Sequence, residues 1–132
     1  MNIKYKINSG ITPEELANVF MLSGIKRPYN DLSRLKKMID NSDVIVEAWV
    51  EQELIGIARS ITDYSYCAYL SDLAVKQPFQ GKGIGKELLK ITKTQFGKQV
   101  AIILLSSPGA MEFYPLQGYE KVENGFRIPR EI

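Results

Sequence analysis

Residues 80–86, Gln-Gly-Lys-Gly-Ile-Gly-Lys, set three glycines on alternate positions beside two lysines, directly after the apolar run Tyr69–Phe79. Glycine at that density suits neither a helix interior nor a strand, where each costs about 0.5–1 kcal/mol relative to alanine. It suits a turn in which the main chain itself is the binding group. If the turn opens a helix, several free N–H groups point at one place and the helix dipole adds positive charge there. The product is an anion site, most often filled by a phosphate or pyrophosphate. Lys82 and Lys86 add charge at its rim. A tight strand-to-helix turn with solvated lysines is the bland alternative, and it would need only one glycine.

Two familiar phosphate motifs fail on these residues. A Walker A loop, G-x-x-x-x-G-K-[ST], meets Gln80 in place of its first glycine and Glu87 in place of Ser or Thr. A dinucleotide fingerprint, G-x-G-x-x-G, meets Lys86 or Leu88 at its third glycine, and the acidic residue it needs is absent from Val100–Ser107.

The residue inventory narrows the chemistry further. The chain has no histidine and one cysteine, Cys67. Ser-His-Asp and Cys-His pairs are excluded, as are an intramolecular disulfide and a tetrahedral zinc site of the usual kind, so no metal is expected. Chemistry must run on Asp, Glu, Tyr, Lys, Ser, Cys67 and backbone groups. Cys67 has no base to activate it and reads as a small buried residue. A lone cysteine fits a reducing cytoplasm. No apolar run has the ~18–20 residues of a membrane span, and no apolar stretch follows the N-terminal lysines as in a signal peptide. The net charge of +2 is too small to argue for nucleic acid, and the lysine face of Lys82, Lys86, Lys90 and Lys93 lacks interleaved aromatics.

The elements that must position the glycine turn can be read along the 132 residues, which form one expected domain, 1–132, with 45% apolar residues for a core. Ile3–Ile7 alternates as a half-buried strand. Thr12, Pro13 and Glu15 form a capping box with proline at the first helical position, and Ser23-Gly24 ends that helix. Asp31 or Asn30 caps a second helix carrying Leu32, Leu35, Met38 and Ile39. Val44–Val50 and Leu54–Ile61 form an antiparallel pair, with Trp49 in the core. A fourth strand lies within Cys67–Lys76, and a helix follows the glycines from about Ile84 to Phe96. Val100–Ser107 is almost wholly apolar, which predicts a central strand covered on both faces. A short helix ends at Gly118, Tyr119–Val122 starts a last strand, and Phe126–Ile128 reads as another. The order β α α β β β α β α β predicts an α+β domain with a mixed, mostly antiparallel sheet flanked by helices.

Gln80-Gly81-Lys82-Gly83-Ile84-Gly85 resembles the Q/R-x-x-G-x-G/A signature of the GNAT superfamily of N-acetyltransferases. Asp72–Gln80 is similar to that family's fourth strand and its lead-in. Ala110–Val122 is similar to its C-terminal motif, A-x-x-(L/F)-Y-x-x-x-G-(F/Y). Both motifs occur in the family's order, and the element pattern agrees over nearly the whole chain.

That resemblance implies an acetyl-CoA-dependent acetyltransferase whose fourth and fifth strands splay to admit the cofactor's pantetheine arm. By position, the backbone of Leu73, Ala74 and Val75 would line the arm, and the Leu73 N–H would polarise the thioester carbonyl. Residues Gln80, Gly81, Lys82, Gly83, Ile84, Gly85 and Lys86 would hold the pyrophosphate. Tyr114 matches the phenol that donates a proton to the departing sulfur. Ser107 stands where the family often has an asparagine that contacts the arm. The acceptor would be a primary amine on a small molecule or peptide, attacking directly. Asp72 is the nearest candidate for its base, or a structural carboxylate. Tyr66 and Tyr69 could instead position a water. Arg27, Tyr29 and Arg59 could bind an acidic group on the acceptor. The reading includes no nucleic acid and no membrane, and a homodimer is compatible with it. The alternative is a catalytically silent module that binds acyl-CoA for regulation.

Overall fold

The computed structural model describes residues 2–132. Met1, the first residue of the expected domain, lies outside the described residues. The chain runs β1 (Ile3–Ile7), α1 (Pro13–Ser23), α2 (Leu32–Asp40), β2 (Val44–Val50), β3 (Glu53–Thr62) and β4 (Cys67–Val75). A 3-10 turn at Gln77–Phe79 then leads to α3 (Ile84–Thr94), β5 (Ala101–Ile103) and the short α4 (Phe113–Leu116). The strands form one sheet in sequence order, antiparallel throughout except that β5 lies parallel to β4. The architecture is the expected α+β one.

Local sequence explains the first helices. The Thr12 hydroxyl accepts from the Glu15 amide at 3.0 Å and the Glu15 carboxylate accepts from the Thr12 amide at 2.9 Å, a complete capping box. Gly24 ends α1 in the left-handed conformation that glycine adopts freely. Asp31 caps α2 through the Arg34 amide.

β2 and β3 are buried along most of their length because helices cover both faces of the sheet. Ile45, Trp49 and Ile57 pack with Leu16, Val19 and Phe20 of α1 and Leu35 of α2. Val46, Ala48, Ile55 and Ala58 point the other way and pack with Ile84, Leu88 and Leu89 of α3. Each fully buried aliphatic side chain contributes about 1.5–3 kcal/mol relative to exposure.

Three expectations are corrected. β5 is three residues long and mostly exposed, with Ile103 52% exposed. It is the sheet's edge, so its apolar run is not sandwiched. Residues 119–132 form no strand among the described residues, and Phe126 and Ile128 are almost fully exposed. Alternating apolar residues make a strand only where an edge offers hydrogen bonds, and this segment takes none from β5. Cys67, expected to be buried, is exposed at the start of β4. No described helix is long and apolar enough to cross a membrane.

Candidate active site

β5 pairs with β4 only at Cys67, Ala68 and Tyr69. Beyond Tyr69 the two strands part, and the edge of β4 from Leu70 onward is free of β5. The Lys76 amide donates to the Ile55 carbonyl of β3 at 2.9 Å. Strand alternation therefore turns Ala74 toward β3 as well, and Leu73 and Val75 toward the gap. The Val75 carbonyl does face outward, where the Gln80 side-chain amide donates to it at 2.7 Å. Leu73 and Val75 thus present backbone groups to the gap. Ala74 does not: its amide faces β3 and its methyl is in the core.

At one end of the gap stands the glycine turn. Gly81 and Gly83 have φ of 75° and 84°, and Gly83 is the N-cap of α3. No side chain caps α3, in contrast to α1 and α2, and the first intrahelical bond is from the Glu87 amide to the Gly83 carbonyl. The amides of Ile84, Gly85 and Lys86 are therefore unclaimed by the helix and lie at its positive end. A Cβ at Gly81 or Gly83 would meet nothing within 4 Å, so the turn is open to a ligand. A Cβ at Gly85 would lie 3.6 Å from Phe113 and 4.0 Å from Leu73, which places the first turn of α3 against both β4 and α4. Lys82 and Lys86 are exposed. The Gln80 side chain also donates to the Ser23 carbonyl at 3.2 Å, so it braces the turn against β4 and α1.

Tyr114, on α4, is half-buried between Phe113 and Tyr119, with ring centroids 5.2 and 5.7 Å away and edge-to-face packing. Burial pushes its phenol up to about 12; neighbouring Tyr119 adds to the rise and Arg27 opposes it. Tyr114 therefore holds its proton at neutral pH. Tyr119, whose phenol is also raised by burial, was not singled out from sequence, although it occupies the aromatic position that closes the C-terminal motif. Ser107 is exposed, where it precedes the 3-10 turn Pro108–Ala110, and its hydroxyl makes no hydrogen bond among the described residues.

Beside the gap, β4 carries a bulge. Arg59 faces Asp72 and Ser60 faces Leu70, so Ser71 has no partner on β3. Two arginines occupy the groups that this leaves free. Arg27 Nη2 donates to the Ser71 carbonyl at 2.8 Å and Arg59 Nη2 donates to the Ser71 hydroxyl at 3.0 Å. Their Nε atoms donate to the two oxygens of Asp72, at 2.6 and 2.5 Å. Asp72 is buried and fully engaged, which is poor geometry for a base. Arg59 is buried too, and bonds Ser42 as well. It supports the bulge and has no face left for an acceptor, contrary to the expectation from sequence. Arg27 keeps 27% of its side chain exposed. Two guanidinium groups share one carboxylate, so the cluster is net positive.

A model of the acetyltransferase (GNAT) domain matches residues 12–127. This chain belongs to the GNAT acetyltransferase family. An uncharacterized N-acetyltransferase, ycf52, of Gracilaria tenuistipitata var. liui is 31% identical over 126 residues, covering 90% of this chain and 68% of that protein. The chain spans 68, 57 and 49% of three curated relatives it matches, so they carry further sequence. Among solved structures, a probable acetyltransferase from meticillin-resistant Staphylococcus aureus, SA2161, superposes with a TM-score of 0.82 at 21% identity, covering 98% of this chain and all of that one. The aminoglycoside N-acetyltransferase AAC(6')-Iy in complex with CoA gives 0.69 at 14% identity, covering 99% of this chain and 96% of that one. Acyl transfer from acetyl-CoA to an amine is the general reaction of the GNAT family.

Where β4 and β5 converge, Tyr69 is 40% exposed and, with Leu105, faces the exposed C-terminal segment that carries Arg127, Arg130 and Glu131. Tyr29 is 44% exposed on the loop between α1 and α2, and Tyr66, at 78%, stands out into solvent.

Proposed function

We propose that this chain transfers the acetyl group of acetyl-CoA to a primary amine that attacks directly, with both substrates bound at once. One observation carries the reading. The uncapped amides of Ile84, Gly85 and Lys86 and the open backbone of Leu73 and Val75 meet at one gap, and Gly85 is packed against the strand that supplies the second set. The residues present suit a ligand with a pyrophosphate at one end and an amide-bearing arm at the other.

When bound, acetyl-CoA supplies the thioester that the amine attacks; the chain's own residues do the rest. The α3 amides, with Lys82 and Lys86, hold the anionic end. The Val75 and Leu73 backbone pairs with the arm, and the Leu73 N–H donates to the carbonyl oxygen where charge develops. The amine nitrogen would add to the carbonyl carbon, the carbon–sulfur bond would break, and the proton shed by the acylated nitrogen would end on the departing thiolate. Tyr114 would stand by the sulfur. Its phenol, near 12, lies well above the ~8.5 of an ordinary thiol, so its part is to donate a hydrogen bond and not to surrender its proton completely.

The amine must first be neutral, although a free alkylammonium has a pKa of about 10.4. The positive cluster of Arg27, Asp72 and Arg59 beside Leu73 disfavours the ammonium form. With Asp72 engaged, the proton passes to water at the Tyr69 phenol.

Initial rates measured against both substrates, with thiol release as the signal, should give intersecting lines. Parallel lines would mean a covalent acyl-enzyme and would contradict direct attack. Release from no amine, with acetyl-CoA still binding, would mark a silent acyl-CoA-binding module.

A further inference from the structure

The stretch of β4 that β5 leaves open, Leu73 to Val75, is tied at both ends to the end of α1 and the loop that follows it. At the Val75 end the tie is Gln80, whose side-chain amide donates to the Val75 carbonyl and to the Ser23 carbonyl at the end of α1. At the other end it is Arg27, in the loop between α1 and α2. Each of its three guanidinium nitrogens donates within the chain: Nη1 to the Lys26 carbonyl at 2.7 Å, Nη2 to the Ser71 carbonyl and Nε to Asp72. One planar group thus grips both the carbonyl of the peptide that precedes Asp72 and the buried Asp72 side chain. The Leu73 N–H belongs to the peptide that follows Asp72, so the backbone torsions of Asp72 set its direction. Those torsions lie in the bulge, where Ser71 has no partner on β3. Arg59 also holds the Asp72 carboxylate, but on Ser71 it bonds the hydroxyl, and the main chain is left to Arg27. The charge of Arg27 opposes the rise of the Tyr114 phenol, so this guanidinium lies on the side of the gap where Tyr114 stands.

We infer that Arg27 is a positioning residue for acyl transfer: its grip on Ser71 and Asp72 holds the bulge so that the Leu73 N–H points at the thioester carbonyl oxygen. This rests on the proposed acetyl transfer and adds to it a residue from outside the glycine turn and β4. A guanidinium can do this where an ammonium cannot, because its N–H groups leave a rigid fork in fixed relative directions. The alignment matters most as charge develops on the oxygen, where a misplacement of about 1 Å can cost on the order of a hundredfold in rate. With its nitrogens engaged by the chain, Arg27 acts through Leu73 and not by binding an acidic group on the acceptor.

Arg27→Lys keeps the charge and gives up the fork; Arg27→Met gives up both. Asp72 keeps Arg59 in either variant, so its carboxylate is not stranded. Thiol release is measured with the best acceptor among spermidine, an aminoglycoside and a lysyl peptide, at a temperature where each variant is folded. Both variants should lower kcat at saturating amine by about ten- to a hundredfold, with the acetyl-CoA Kd and the amine KM nearly unchanged. A second readout needs no turnover and uses chain isotope-labelled at its leucine amides. Acetyl-CoA should move the Leu73 amide resonance of the parent further than CoA does, since CoA lacks the carbonyl, and in Arg27→Lys that difference should vanish. Parental kcat in the lysine variant would make Arg27 a mere counter-charge for Asp72 and overturn the inference. A raised amine KM with kcat kept would make it an acceptor-binding residue and overturn the inference as well. A parent that releases thiol with none of the amines would overturn acetyl transfer itself. The Leu73 resonance would then decide the grip alone, and a difference that persists in Arg27→Lys would overturn it.

Discussion

Tyr114 and Asp72 show how differently two site residues can be read. Tyr114 could be picked from sequence because its motif is local: Ala110, Tyr114 and Gly118 lie four positions apart in one short stretch of chain. The partners of Asp72 are 45 and 13 positions away in the chain, and nothing in the neighbouring residues announces them. A free carboxylate beside a gap looks like a base; the same carboxylate between two guanidinium groups is a buried ionic support whose removal would strand charge. Arg59 was misread for the same reason. On the proposed role, Tyr114→Phe would deprive the leaving sulfur of a hydrogen-bond donor while keeping the packing against Phe113 and Tyr119. Turnover should fall roughly ten- to a hundredfold, with acetyl-CoA affinity nearly unchanged in a binding titration. The pH behaviour follows from the raised phenol. Below about 10 the folded and unfolded chains both keep this proton, so it contributes no pH dependence there. Above that the unfolded chain ionises first, and stability falls until the folded phenol titrates near 12. Urea midpoints measured across this range should decline less steeply in Tyr114→Phe.

At the scale of elements, the helices and the two inner strands were legible because their signals are local. The capping box at Thr12 and the glycine at position 24 fix the ends of α1, and continuous apolar runs mark strands covered on both faces. β5 misled because burial of a strand depends on what lies beyond it, and residues 100–107 have the composition of a central strand at the edge of a sheet. The bulge at Ser71 also left no mark in the sequence, since it depends on the register between β3 and β4. The start of α3 is where local sequence and site coincide. Gly83 has φ 84° and open space before it. Gly83→Ala forces a left-handed alanine, which costs about 1–2 kcal/mol, and places a methyl group where the pyrophosphate should approach. Thermal melts should show the first effect, and the acetyl-CoA Kd should rise about tenfold or more, which corresponds to about 1.4 kcal/mol. An unchanged Kd would separate this turn from cofactor binding.

The whole molecule is built as two cores on opposite faces of one sheet, α1 and α2 over one and α3 over the other, with α4 alongside the second. The gap lies where the sheet stops being continuous, between β4 and β5. A ligand that fills it would add contacts to α3, β4 and α4, which already share one apolar cluster. Binding to the folded chain alone stabilises it by mass action, by about 2.7 kcal/mol when the ligand is at a hundred times its Kd. For a chain of this size that is a rise of roughly 10 °C in Tm. The central claim is that this gap holds acetyl-CoA, and a melting curve tests it most directly. Saturating acetyl-CoA should raise Tm by roughly 10 °C, well beyond the effect of adenosine or inorganic phosphate at the same concentration; no shift at saturation would contradict it.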